Sequence, residues 1–208
     1  LYGDFHSTYG YKNMDVCKKK SRIILIYNEQ EQSLESLYSV MNIKYPKNLI
    51  CLIYISNNPN EKIITHFKNN IIIDKNNAKY NDKHVFNYIN NILKSNSFYD
   101  NIFYITSNVR VSNIDIINKL LYENKNIIAP MLERERDKGS FTYYLFDNVI
   151  GEKIKKREIK GCWNVFRISD CFLVKKGFFD EKYLNFYDND LDGINYSMKI
   201  LDSNNFLY

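Results

Sequence analysis

One segment, NIFYITSNVRVSN at residues 101–113, constrains the chain more than any other. Ile102, Phe103, Tyr104 and Ile105 form an unbroken run of β-branched and aromatic residues behind a turn-like Tyr99-Asp100-Asn101. That pattern belongs to a strand covered on both faces at the centre of a sheet. The run stops at three small polar residues, Thr106, Ser107 and Asn108. In an open α/β sheet, ligands sit beyond the carboxyl ends of such strands, so this triplet marks the place to look for a site. Ser112 then reads as a helix N-cap, followed by Ile114, Ile117, Leu120 and Leu121 at helical spacing. Lys125 and Asn126 close that helix, and a second apolar run, residues 127–132, follows.

Two further runs have the same character. RIILIY at 22–27 and LICLIYIS at 49–56 each read as buried strands. After the first, Ser33 caps a helix with Leu34, Leu37, Val40 and Met41 expected on its inward face. After the second, a polar loop leads to a short helix around 61–68 and a third strand at 71–73. This βαβαβ order predicts a mainly parallel sheet with right-handed crossovers. Downstream, a helix is read at 84–93, a strand near 143–146, another at 169–175, and a helix at 194–201 after the acidic segment YDNDLDG.

Composition narrows the class. A chain of 208 residues, 45% hydrophobic, with 18 Tyr and 13 Phe, suits one α/β domain with a sizeable core and argues against disorder. The formal charge of +5 alone suggests nucleic acid, but KIKKREIK, the densest basic cluster, has no interleaved aromatics. A Lys-rich solvated surface is the plainer reading, so no nucleic-acid partner is expected. No apolar stretch approaches the length of a membrane span. Among the four cysteines there is no C-x-x-C pair, which argues against a zinc site. Cys51 reads as a small core residue; a Cys17–Cys162 bridge is left open. The abundance of Asn, Ile, Lys and Tyr suggests an AT-rich coding sequence, as in a giant virus.

A strand, a small triplet, a helix ending in ENK and then IIAPML together resemble the glycosyltransferase fold called GT-A. The closer resemblance is to its collagen-modifying branch, the procollagen lysyl hydroxylases and procollagen galactosyltransferases. It rests on motifs in order from about Arg22 to Tyr208: strand, YPKN, strand ending in NN; then SFTY at 140–143; KGCWNVF at 160–166; and the acidic motif at 187–193. The resemblance implies a GT-A, Rossmann-like α/β fold over 22–208, with residues 1–21 as a linker from a preceding domain. It implies a vestigial UDP-sugar cleft lined by Tyr27, Asn28 and Glu29, by Thr106, Ser107 and Asn108, and by Trp163 and Asn164. Asp190 and Asp192 match the position of a carboxylate that can take the proton of an acceptor hydroxyl; helix capping is the plainer role for them.

The resemblance breaks at one place. The family's central strand ends in Asp-Ala-Asp, whose carboxylates hold Mn²⁺ or Mg²⁺ against the UDP diphosphate. Thr106, Ser107 and Asn108 stand there instead. A hard divalent cation wants anionic oxygen ligands, and hydroxyls and amides are weak substitutes. The expectation is therefore an accessory, non-catalytic domain that binds no cofactor or metal. It would be joined to other domains of the same polypeptide, with a collagen-like protein as substrate of the parent and homodimerisation as a further option. The alternative is an active transferase using Mn²⁺ and a UDP-sugar on hydroxylysine, with Arg110 or displaced Asp residues facing the diphosphate. Compartment is open: host cytoplasm or virus factory if viral, endoplasmic reticulum lumen if cellular.

Overall fold

A computed structural model describes residues 21–68, 70–74, 91, 98–130, 132, 144–145, 152–153, 156, 158, 162, 165–167 and 170–176. The apolar runs become strands β1 (Ile23–Asn28), β2 (Ile50–Ile55), β3 (Ile71–Asp74) and β4 (Asn101–Thr106). Shorter strands follow: β5 (Ile127–Ile128), β6 (Tyr144–Leu145), β7 (Val165–Arg167) and β8 (Cys171–Lys175). The described α-helices with given bounds are α1 (Leu34–Met41), α2 (Glu61–His66) and α3 (Ile116–Tyr122), and a single 3-10 turn, Lys47–Leu49, leads into β2.

The main sheet runs β3-β2-β1-β4-β8-β5, and β6 pairs with β7 in a separate antiparallel ribbon. β3, β2, β1 and β4 are parallel, with Asn28 level with Ile55 on one side and Thr106 on the other. The chain thus winds outward from β1 to β3, then returns to β1's other flank as β4. β8 enters antiparallel between β4 and β5. All six residues of β1 and of β4 are buried, as central strands covered on both faces require.

On one face, Ile23, Leu25 and Tyr27 of β1 join Leu52, Tyr54, Phe103, Ile105 and Leu173 in a core sealed by Leu37 and Val40 of α1, Ile63 of α2, and Ile117 and Leu120 of α3. Ile24, Ile26, Ile53, Ile102, Tyr104 and Phe172 are buried on the opposite face, where the Tyr104 and Phe172 rings lie 5.1 Å apart. Each fully buried side chain of this size contributes about 1.5–3 kcal/mol.

Two details differ from the sequence reading. Ser33 does cap α1, accepting from Ser36 N, but Leu34 is 58% exposed. The helix is turned so that Ser36 and Ser39 face inward. Ser36 Oγ donates to Val109 O at 2.6 Å, and Ser39 Oγ accepts from Val111 N at 2.9 Å, so the helix straps the segment leaving β4. These bonds satisfy backbone groups that a Leu at either position would orphan. Second, α3 starts after Asp115 and not at Ser112, because Asn113 Oδ1 accepts from Asp115 N and Ile114 O accepts from Lys44 N, which hold a turn there. Ile114 is correspondingly 36% exposed. Among the described residues no helix is long and apolar enough to cross a membrane.

Candidate functional site at the carboxyl edge of the sheet

The winding order changes direction between β1 and β4. Their carboxyl ends, Asn28 and Thr106, therefore flank the crevice where open α/β sheets take ligands. Which side chains reach that edge, and what already holds them, decides what it can do.

Glu29 follows β1 and is only 9% exposed. Its N–H donates to Ile55 O at 2.9 Å, continuing the β1–β2 ladder by one step. Its Oε2 accepts from the Tyr54 hydroxyl at 2.8 Å and from the Ser56 hydroxyl. Those hydroxyl oxygens in turn accept from Asn60 N and Asn58 N, so the network pins the loop after β2. Burial, above all, raises the Tyr54 phenol's pKa, and its bond to the Glu29 carboxylate adds to that shift. A buried carboxylate satisfied by two hydroxyls is a clamp between strand ends.

Tyr27 takes no part in the edge. It is fully buried on the helix face, its hydroxyl donates to Ser36 Oγ at 3.3 Å, and its ring packs 5.6 Å from that of Tyr54. Burial pushes its phenol up to about 12.

Asn28 points to the other face and is fully buried. Its Nδ2 donates to the Tyr104 hydroxyl at 3.1 Å, while its Oδ1 has no hydrogen-bond partner among the described residues. The triplet at the tip of β4 is engaged side chain by side chain. Thr106 donates its N–H to Asp170 O at 2.8 Å and its hydroxyl to Asp170 Oδ1 at 3.3 Å. Ser107 donates its N–H to Asn28 O, and its Oγ accepts from Glu31 N at 3.1 Å. Asn108, exposed, donates from Nδ2 to Gln30 Oε1 at 3.1 Å. These contacts tie the β4 tip to the loop after β1.

Asp170 is the edge residue the sequence reading did not single out. It precedes β8 with φ of 57°, a left-handed conformation that Asp tolerates better than most residues. The small polar residues ahead of CFLVK were the available signal; that β8 lies antiparallel against β4 was not readable from them. Arg110 is paired with Glu35 at 3.2 Å, with both side chains about 70% exposed. Trp163, Asn164, Asp190 and Asp192 lie outside the described residues, as do the 194–201 helix, Cys17 and all of 84–93 except Asn91, which is helical. Cys162 is a free thiol, raised to about 12 first by burial and then by Glu123.

A hard divalent cation wants anionic oxygen ligands, and Thr106, Ser107 and Asn108 are neutral. The β4 tip offers hydroxyl and amide groups already bonded to neighbours, and among the described residues no group of three or more His, Cys, Asp or Glu could hold a metal ion.

No protein-family model matches the sequence, and no curated protein matches it either. Solved structures do. A mannosyltransferase, PcManGT from Pyrobaculum calidifontis, in complex with GDP-Man and Mn²⁺, superposes with a TM-score of 0.52 at 10% identity over 93% of this chain. The match spans 56% of that enzyme's length, a little over half. A 4-diphosphocytidyl-2C-methyl-D-erythritol synthase gives 0.51 at 16% identity, covering 87% of this chain and 86% of its own. A second such synthase, from Anaerococcus prevotii, gives 0.50 at 11% identity, covering 90% and 86%. Identities this low speak for fold alone. The chain has the GT-A-like, Rossmann-type fold of the nucleotide-sugar and nucleotidyl transferases.

Proposed function

We propose that this chain is an accessory, non-catalytic GT-A-like domain of a collagen-modifying enzyme, one that transfers sugar from a UDP-sugar to hydroxylysine or hydroxylates the lysine first. The observation that carries the non-catalytic part is the tip of β4. Thr106, Ser107 and Asn108 are neutral, and each is already hydrogen-bonded to Asp170, Glu31 or Gln30. A departing diphosphate needs its developing charge neutralised, and that neutralisation is a large part of the barrier. Nothing in this donor set supplies it. The collagen-modifying part rests on the ordered motifs of the sequence, YPKN, KGCWNVF and the acidic segment, and the domain's partners would then be the other domains of its polypeptide.

The test is calorimetric titration of UDP into the 208-residue chain with and without Mn²⁺. The reading expects no Mn²⁺-dependent binding. Saturable, Mn²⁺-dependent heat would overturn it.

A second reading is favoured by one observation: Asp170, the residue before β8, brings a carboxylate to the β4 tip. In an active transferase, Asp190 or Asp192 would take the proton of the hydroxylysine hydroxyl. Unchanged transfer by the full-length protein carrying Asp190→Ala and Asp192→Ala would remove those residues from such a mechanism.

A further inference from the structure

We propose that β3 is the contact edge of a two-fold dimer of this chain, in which it pairs antiparallel with β3 of a second copy and joins the two sheets into one.

β3 stands at the end of the sheet, beside β2. Its side chains are unusual for such a place, because Ile72 and Ile73 are 49% and 38% exposed. Edge strands that stay single carry lysine, proline or a bulge against further pairing. Ile71-Ile72-Ile73 has neither residue, and its register with β2 runs without a break. The backbone is equally available. Leu52 N donates to Asn70 O and Ser56 N donates to Asp74 O, so residues 70, 72 and 74 turn their peptide groups toward β2. Alternation turns those of Ile71 and Ile73 away from the sheet. Ile71 and Ile73 are level with Leu52 and Tyr54 on the helix face, and Ile72 is level with Ile53 on the other.

A second copy is the occupant for which this strand supplies both halves of the pair. A two-fold axis normal to the sheet lays β3 antiparallel to itself and sets one residue opposite its own counterpart. With Ile72 at that point, Ile71 lies opposite Ile73 of the second copy, and Asn70 lies opposite Asp74 of the second copy. Every isoleucine then meets an isoleucine, and no like charges meet. The outward peptide groups of Ile71 and Ile73 exchange hydrogen bonds in both directions, with Ile72 in the non-hydrogen-bonded pair between them. Centring the axis on Ile73 would set Ile72 against Asp74, and centring it on Ile71 would set Ile72 against Asn70. Charge agrees with the same axis. α2 joins β2 to β3 and packs on the helix face through Ile63. It opens with Glu61 and closes on His66, with Lys68 just beyond, so an antiparallel copy brings acidic end to basic end. A strand of four residues and one short helix bury less than the roughly 1,200 Å² of a standard interface, so the dimer is a weak one.

Sedimentation velocity of the 208-residue chain, from about 10 to about 500 μM, tests this at the concentrations a small interface requires. A reversible monomer–dimer equilibrium is expected within that span. Ile72→Lys sets like charges directly opposite each other and should raise the dimer Kd at least about tenfold. Ile72 is exposed, so the urea midpoint of that variant should stay near the parent's. Ile72→Cys should give a disulfide-linked dimer under mild oxidation, because Cα atoms of a non-hydrogen-bonded pair lie about 4.5 Å apart, within reach of a disulfide. Ile73→Cys lies two residues out of register with its own counterpart and should link at least about tenfold more slowly. The parent, with its four cysteines, gives the background rate. A chain that stays monomeric throughout overturns the inference and leaves the edge to a strand from elsewhere in the polypeptide or from another protein. A dimer that Ile72→Lys does not weaken places the contact away from β3 and overturns it too. Equal linking rates for the two cysteine variants remove the register and with it the case for a second copy. The non-catalytic reading is tested separately, by the Mn²⁺ and UDP titration.

Discussion

Replacing Glu29 by Ala is the most demanding test of how the carboxyl edge is built. The Glu29 carboxylate is the shared acceptor for the Tyr54 and Ser56 hydroxyls, which lie on β2 and just past it. Removing it leaves two donors in a buried place with nothing to donate to. Each orphaned donor costs about 1–3 kcal/mol. The desolvation of the carboxylate itself is relieved, so the net loss should be about 2–4 kcal/mol. With a denaturant slope of about 2 kcal/mol per molar urea, the midpoint followed by far-UV circular dichroism should fall by roughly 1–2 M at unchanged slope. Glu29→Gln keeps an amide oxygen in the same position and should lose about 1 kcal/mol or less. A cycle with Tyr54→Phe should show coupling of about 1 kcal/mol or more, because the two groups touch. A loss below about 0.5 kcal/mol for Glu29→Ala, or a Gln variant as damaged as the Ala one, would refute the clamp and return Glu29 to the status of a ligand-facing residue.

Other outcomes follow from the same structure. Because the Tyr27 phenol is held up to about 12 by burial, above its ordinary 10.0, its contribution is complete below pH 10 and is lost as pH rises through 12; stability measured by urea melts should fall across that window, and less steeply in Tyr27→Phe. Thr106→Asp would set a second carboxylate against Asp170 in a buried position and should cost about 1–3 kcal/mol, read as a lower melting temperature. Ser36→Ala removes the bond to Val109 O and should cost about 1–2 kcal/mol by urea melts, whereas Arg110→Ala, breaking only an exposed pair, should stay within about 0.5 kcal/mol.

The strands that form the sheet's centre were plain in the sequence for a physical reason. RIILIY, LICLIYIS and NIFYIT are continuous apolar runs, and only strands covered on both faces need that. The apolar 71–73 run gave β3 equally well but not its setting: β3 is an edge strand, and Ile72 and Ile73 are 49% and 38% exposed. The run at 127–132 yielded a strand of only two residues, because β5 meets the sheet through β8 at Ile127 and Ile128 alone.

At the edge, the triplet after β4 was legible because polarity changes abruptly at Thr106. Its bonding was not. Ser36, Ser39 and Asp170 face partners 64 to 73 residues away in sequence, and no local period announces such contacts. A helix pattern that weighs only apolar positions turns Leu34 inward; the hydroxyls of Ser36 and Ser39 decide otherwise.

The claim on which the functional account depends is that neutral, already-bonded side chains at the end of β4 cannot take the place of metal-holding carboxylates. Electron paramagnetic resonance of Mn²⁺ titrated with the chain in the presence of UDP reads this directly. The account predicts that the free-ion signal is reduced no further than UDP alone reduces it. A stoichiometric, saturable loss of signal that Asn108→Ala weakens would contradict it.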